Sequence, residues 1–342
     1  VYTGKTDIES ITNYMSLHHH AILLGITVLT SLDTTNALAD VIAGRYNQFN
    51  TELVDINKLR SEKLKLNFCK MHSCGNDYII FNNMNGEITC PESLAINFAD
   101  RHYAIGADGI VMIEKSNVAD AKVRVFNSDG SNGGLAANPI RCVAKYLFDN
   151  RIVNSENISL ESCGIVRNLT VNSFNGVASS VAVNLGKPSF DGSKVPCTLD
   201  GEVIDREVWL EGKKYNITCV NVGNPHCVVF ADKIEDIDMD ALGQTLSYSG
   251  MFPAGVFLEC VRVVNGVTVK MRVWEKINGE TWACGSAAAA AATAAIINGK
   301  CLKGETITVK LKGGDLFVKL NDNGEVELDG FVKQSFKGII EI

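Results

Sequence analysis

Lys122-Val-Arg-Val-Phe126 and Lys270-Met-Arg-Val-Trp274 are one five-residue alternation written twice, 148 residues apart. Gly75-Asn76 returns as Gly223-Asn224 at the same offset, and the two anchors lie 47 residues from each other. Two agreements at one spacing mark an internal duplication. In each copy a Gly-Asn turn precedes a hydrophobic strand, and a strand, a polar loop and a helix follow. The chain therefore reads as two related lobes, 67–190 and 191–342, behind an extension, 1–66, with no assigned role. Paired lobes enclose a cleft, and clefts are common ligand sites.

From residue 67 on, short β-branched runs alternate with Gly/Asn/Asp turns. The pattern predicts strands such as Tyr78–Phe81, Gly109–Glu114, Lys122–Phe126, Val256–Val264 and Thr268–Trp274. It predicts few helices: Pro91–Asp100, Pro139–Asn150, Met239–Leu246 and Ser286–Asn298. Many strands and few helices imply an α+β fold with strongly bent sheets. In the extension, Ser10–Ile26 and Asn36–Gly44 read as short helices, and Leu53–Leu66 as a helix or charged linker. Leu23–Ser31 reads equally well as a buried strand.

The composition narrows the function. Of 342 residues, 46% are hydrophobic and 21% charged, which is globular and excludes extended disorder. A net charge of −7 with no Lys/Arg-rich run argues against nucleic-acid binding, which depends on phosphate neutralisation. The longest apolar stretch, Ala21 to Thr30, is about half of the roughly 20 residues a membrane helix needs. With no basic leader pattern ahead of it, the expected location is cytoplasmic. The 11 cysteines are odd in number and form no CxxC pair, so neither a disulfide framework nor a zinc ribbon is expected.

One cysteine stands apart. The offset matches Ala136 with Cys284 and Asn127 with Glu275, and residues 136 and 284 both immediately precede an Ala-containing helix. Pro139 sits near the start of the first helix, where its missing N–H matters least. Unpaired N–H groups and the positive dipole end at a helix start attract anions. Two such starts facing one cleft would hold a carboxylate or phosphate. A thiol there is expected to have a lowered pKa, with Glu275 placed to take or relay its proton. The competing reading is a small buried residue, the commonest fate of a free cysteine. The place of Cys284 in Gly279-Glu-Thr-Trp-Ala-Cys-Gly-Ser286 favours reactivity.

Five segments resemble the diaminopimelate epimerase family in the family's order. They are Phe68-Cys-Lys-Met-His-Ser-Cys-Gly-Asn-Asp-Tyr78, Arg101-His-Tyr-Ala-Ile-Gly-Ala-Asp-Gly109, Phe126-Asn-Ser-Asp-Gly-Ser131 through Ile140-Arg-Cys-Val-Ala-Lys-Tyr146, Gly223-Asn-Pro-His-Cys-Val-Val-Phe230, and Trp274 through Ser286. The resemblance runs from about residue 67 to the C-terminus. It implies two similar lobes, each a curved, mainly antiparallel sheet around a central helix. It also implies cofactor-independent inversion at an amino-acid α-carbon, with no metal, a small amino acid as the only bound partner, and a homodimer. Cys284, Glu275 and His226 are its implied catalytic residues. Asn76, Asn127, Ala137, Asn138, Asn224, Lys276, Gly285 and Ser286 are its implied substrate-binding residues.

The chain also departs from the family pattern. Ala136 stands where the family has its first catalytic cysteine. Ala137, Pro139 and Ala287 replace helix-start residues, Phe257 replaces a substrate-binding Asn, and Lys276 replaces an Arg and its bidentate fork. His226 and Cys74 are the groups considered as substitutes for the missing thiol, whereas Cys142, six residues into its helix, should point elsewhere. Beside inversion of LL-diaminopimelate, two alternatives stand: a related racemase, epimerase or lyase with a changed substrate, and a catalytically impaired amino-acid-binding homologue.

Overall fold

Cys74 and Gly75 take φ of 52° and 85°, the left-handed pair that a two-residue hairpin requires. Their turn joins β1 (Lys65–Ser73) to β2 (Asn76–Asn82) in an antiparallel ladder closing on Ser73 opposite Asn76. The structure, a computed structural model, describes residues 8–25, 35, 36, 39, 64–134, 137–276 and 279–341. The chain divides after Leu64. Ahead of that point helix α1 (Ile8–Leu23) occupies most of the segment predicted as helix. The expected helix at 36–44 lies largely outside the described residues, as do the 26–31 part of the alternative strand and residues 53–63 of the charged stretch.

Beyond Leu64, helix α2 (Pro91–Phe98) connects β2 to a parallel neighbour, β3 (Gly109–Glu114). β3 pairs antiparallel with β4 (Ala121–Asn127), and helix α3 (Ala137–Asp149) crosses from β4 to parallel β5 (Asn157–Ser162). β5, β6 (Ile165–Phe174) and β7 (Val177–Gly186) then follow as antiparallel neighbours.

The same order of pairings runs again through β9 (Lys213–Asn221), β10 (Pro225–Phe230), β11 (Phe257–Asn265), β12 (Thr268–Glu275), β14 (Thr306–Leu311), β15 (Gly314–Leu320) and β16 (Val326–Phe331). Helix α4 (Met239–Tyr248) takes the place of α2, and α5 (Gly285–Ile297) that of α3. At the offset of 148, β1 coincides with β9 and α3 with α5, end to end. Three strands stand outside the repeat: β8 (Arg206–Leu210), which pairs with β9; the three-residue β13 (Gly279–Thr281); and β17 (Lys333–Glu341), which returns to pair with β1. None of these three, nor β6, was predicted.

The halves join through antiparallel β7 and β16, where Val181 faces Gly330 and Ala182 faces Asp329. The offset exchanges these two pairs, so a pseudo-two-fold passes between them. All 17 described strands belong to one hydrogen-bonded sheet. In each half it curls around one helix: α3 touches β1, β2, β4, β5, β6 and β7, and α5 touches β9, β10, β11, β12, β14, β15 and β16. That enclosure explains the Ala-rich sequence of α5. A helix apolar on every side is stable only when surrounded, and its residues from Gly285 to Ile296 are all buried. No helix among the described residues is long and apolar enough to cross a membrane.

Candidate active site

Gly285 opens α5 with no room for a side chain. A Cβ there would stand 3.0 Å from the Ala137 methyl carbon, from Asn138 Oδ1 and from Leu328 Cδ2. The first residues of the two central helices therefore touch across the seam, as the duplication leads one to expect. Helix α3 begins at Ala137, so Pro139 is its third residue rather than its first. N–H groups in the first turn lack partners within the helix and carry the positive dipole end. Pro139 takes one such donor from α3, whereas α5 retains the N–H of Gly285, Ser286 and Ala287; its first helical bond runs from Ala288 N–H to the Cys284 carbonyl.

Polar side chains ring this junction. Asn76 donates from Nδ2 to Asp108 Oδ2 at 2.7 Å, which turns its Oδ1 toward the Tyr78 hydroxyl and Asn138 Nδ2, both 3.0 Å away. Asn138 in turn accepts at Oδ1 from Arg141 Nη2 at 2.6 Å. On the second helix Asn224 Nδ2 lies 3.5 Å from Ser286 Oγ, and Ser286 Oγ lies 3.5 Å from Cys284 Sγ. Asp108 is itself held by Arg101, which also grips Asp77.

Cys284 is the residue that caps the start of α5, in extended backbone. Its expected low pKa is not observed. Part of the residue remains accessible, yet burial of the thiol pushes it up to about 12, with the Glu275 charge adding to the rise. The Ser286 hydroxyl and the Ala287 amide pull downward and lose. The balance favours the neutral thiol over the thiolate. Glu275, at the end of β12, accepts from Thr281 Oγ1 at 3.3 Å. Its charge also acts on Tyr78 of the first half, whose hydroxyl burial holds well above the ordinary phenol value.

His226 is fully buried, with Nδ1 2.7 Å from Glu259 Oε1 and Nε2 without a hydrogen-bond partner. Burial holds the Glu259 carboxyl above the ordinary range, and His226 opposes that rise. The Phe257 ring packs 5.1 Å from the imidazole.

Two expected substrate residues have other neighbours. Asn127 Nδ2 donates to Ser131 Oγ at 2.9 Å within its own loop. Lys276 is exposed, with Nζ 6.0 Å from the Tyr248 ring centre. Cys74 lies in the seam with Sγ 3.6 Å from the Asp315 carbonyl, and burial raises its thiol. Cys142 is fully buried and pushed up to about 12 by that burial. Ala136 lies outside the described residues. The structure adds Asp108, Tyr78 and Arg141 to the cluster. All three sit inside segments quoted above, but nothing in their spacing marks them as partners of Asn76 and Asn138.

The chain is similar to known proteins along most of its length. The Diaminopimelate epimerase family profile matches residues 68–190 and 218–333. A diaminopimelate epimerase of Acetivibrio thermocellus is 37% identical over 279 residues, covering 81% of this chain and 99% of that protein. One from a Geobacillus species is 39% identical over 272 residues, covering 78% and 95%. Among solved structures, a hydroxyproline epimerase from Agrobacterium vitis superimposes with a TM-score of 0.58 at 13% identity, covering 81% of this chain and 93% of that one, which shows the shared fold. Two helix starts in contact, a cysteine capping one of them, and matches along most of the chain place this protein in the diaminopimelate epimerase family.

Proposed function

We propose that the protein is a diaminopimelate epimerase, a cofactor-independent isomerase that interconverts LL-2,6-diaminopimelate and its meso form in lysine biosynthesis. The observation that carries this reading is the contact of Gly285 with Ala137 and Asn138, which brings two amide-rich helix ends to one point beside Cys284. An α-carboxylate held there is gripped by N–H groups that also stabilise the charge developing as the α-proton leaves. Exclusion of water strengthens each of these interactions.

Cys284 exchanges the proton on one face. As a thiol it is the acid that returns a proton to the carbanion; the substrate ammonium group, brought close, favours the thiolate needed in the reverse direction. Burial raises the thiol, and the Glu275 charge adds to that rise. The opposite face would be served in the family by a second thiol, but position 136 is alanine, so another group must move that proton. His226 fits the role. Its counterpart at the 148 offset, Tyr78, feels the charge of Glu275 in the other half. His226 is held at Nδ1 by Glu259, and its Nε2 is unpartnered. Asn76, Asn138, Asn224 and Ser286 orient the amino acid.

A changed substrate is the second reading, and Phe257 favours it. Its ring against His226 puts an apolar surface where the family has an amide, while Lys276 lies out at the rim. The lobe division at 67–190 and 191–342, a homodimer and a cytoplasmic location belong to the same proposal. The test is incubation with LL-diaminopimelate in deuterium oxide, followed by NMR. Exchange with inversion supports the reading; exchange only with another amino acid favours the second; binding without exchange indicates an impaired homologue.

A further inference from the structure

Arg141 is fully buried, and its guanidinium meets only neutral acceptors: Nη2 donates to Ser73 Oγ at 2.9 Å and to Asn138 Oδ1 at 2.6 Å. Nε and Nη1 have no partner. Asp329 acts on it electrostatically without touching it: that carboxylate accepts at Oδ2 from Asn172 and Ser180 at 3.2 and 3.3 Å, and its Oδ1 is buried without a partner. Arginine stays charged even when buried. A buried cation without a contacting anion is costly, and such groups are normally paired. The symmetric position on α5 is Ala289, so only one of the two helix starts is backed by a cation.

Arg141 also fixes a direction. Because it donates to Asn138 Oδ1, the Asn138 amide must present Nδ2 to Asn76 Oδ1, and Asn76 must then present Nδ2 to Asp108. A row of two side-chain amides is thus held between a buried cation and a carboxylate, with both amides oriented.

We propose that Arg141 is a positioning residue of the carboxylate cradle: it orients Asn138 and holds a buried positive charge that the bound carboxylate neutralises. The proposal rests on reading the paired helix starts as a carboxylate site. Its consequence is a separation between stability and binding. Removing Arg141 leaves the empty protein as stable as before, or more so, while anion binding is lost.

The experiment compares thermal unfolding of the full chain with Arg141→Met and Asn138→Asp, alone and with LL-diaminopimelate, glycine or 1,5-diaminopentane, which lacks carboxylates. For the unsubstituted chain, a carboxylate ligand raises Tm and the diamine does not. Arg141→Met keeps or raises the ligand-free Tm and needs at least tenfold more ligand for the same shift. Asn138→Asp gives Arg141 an internal counter-ion but sets a carboxylate oxygen against Asn76 Oδ1, so its ligand response falls whatever its ligand-free Tm. Unchanged ligand response in Arg141→Met overturns the proposal. If that variant does not fold, an undiminished ligand response in Asn138→Asp overturns it instead. A response to glycine but not to diaminopimelate defeats the epimerase reading while the Arg141 comparison, made with glycine, still decides the proposal. No response to any carboxylate overturns both.

Discussion

Gly285 in the second half and Asn138 in the first approach so closely that one methyl group on Gly285 would stand 3.0 Å from Asn138 Oδ1. The contact is made by the first residues of two helices, each wrapped by its own half of the sheet. The cleft is therefore defined at one point, and that point is open to substitution.

Gly285→Ala separates the two helix starts. Alanine gains about 0.5–1 kcal/mol over glycine in an ordinary helix position. Here the added carbon meets three neighbours at 3.0 Å, and overpacking costs about 1–3 kcal/mol. The overpacking wins, so urea unfolding should show a net loss of about 1 kcal/mol together with weaker ligand binding. A stabilised variant with undiminished binding would contradict the contact.

Cys284 should alkylate slowly near neutral pH, with a rate still climbing above pH 9, because the thiol is pushed up to about 12. Glu275→Gln removes a charge that raises the thiol, so iodoacetamide should label Cys284 faster at pH 9 in that variant. Linkage has a matching sign. A thiol raised in the folded state contributes stability below its unfolded value of about 9, and that contribution is lost as pH rises toward 12. Rapid labelling at pH 7 would show a thiolate at rest.

His226 and Glu259 form a buried pair, and breaking one side strands the other. His226→Ala should cost about 3–5 kcal/mol. With the imidazole gone, the Glu259 carboxyl rises further, so the penalty should deepen as pH climbs from acid to neutral. His226→Leu combined with Glu259→Leu should recover most of the stability without activity. Equal loss in the single and double variants, measured by denaturant unfolding, would refute the pairing.

Much of this could be read in the residues. The offset of 148 located both central helices and the contact of their starts before any coordinates, because duplicated sequence carries duplicated periodicity. Short apolar runs buried on both faces, such as Gly109–Glu114, announce themselves. Lys333–Glu341 does not: nearly every side chain in it is exposed, so no alternation betrays it. Ile165–Phe174 is similar, with only Leu169 and Val171 buried. The acidity of Cys284 failed for a different reason. Spacing reveals the helix start beneath the sulfur, but not the depth of the thiol or the charge of Glu275 beside it. Arg141 reads as an ordinary basic helix residue, and only the packed seam shows it to be enclosed.

Ala136→Cys supplies a second thiol at the position matching Cys284. If the remaining site is intact, the rate of inversion should rise on the order of 10²-fold, the scale of one well-placed acid–base group. Chiral separation of LL- and meso-diaminopimelate measures it directly. No gain would mean that the pocket around position 136 no longer faces the α-carbon.

The most direct test follows the α-hydrogen itself. LL-diaminopimelate is incubated in deuterium oxide with the unsubstituted protein and with Cys284→Ala, and α-deuterium and the meso form are quantified by NMR. Deuterium should enter with the unsubstituted protein, accompanied by the meso form, and the Cys284→Ala variant should form no meso product and take up deuterium far more slowly. An α-hydrogen that stays unexchanged with the unsubstituted protein, or that exchanges equally well without Cys284, would contradict the account.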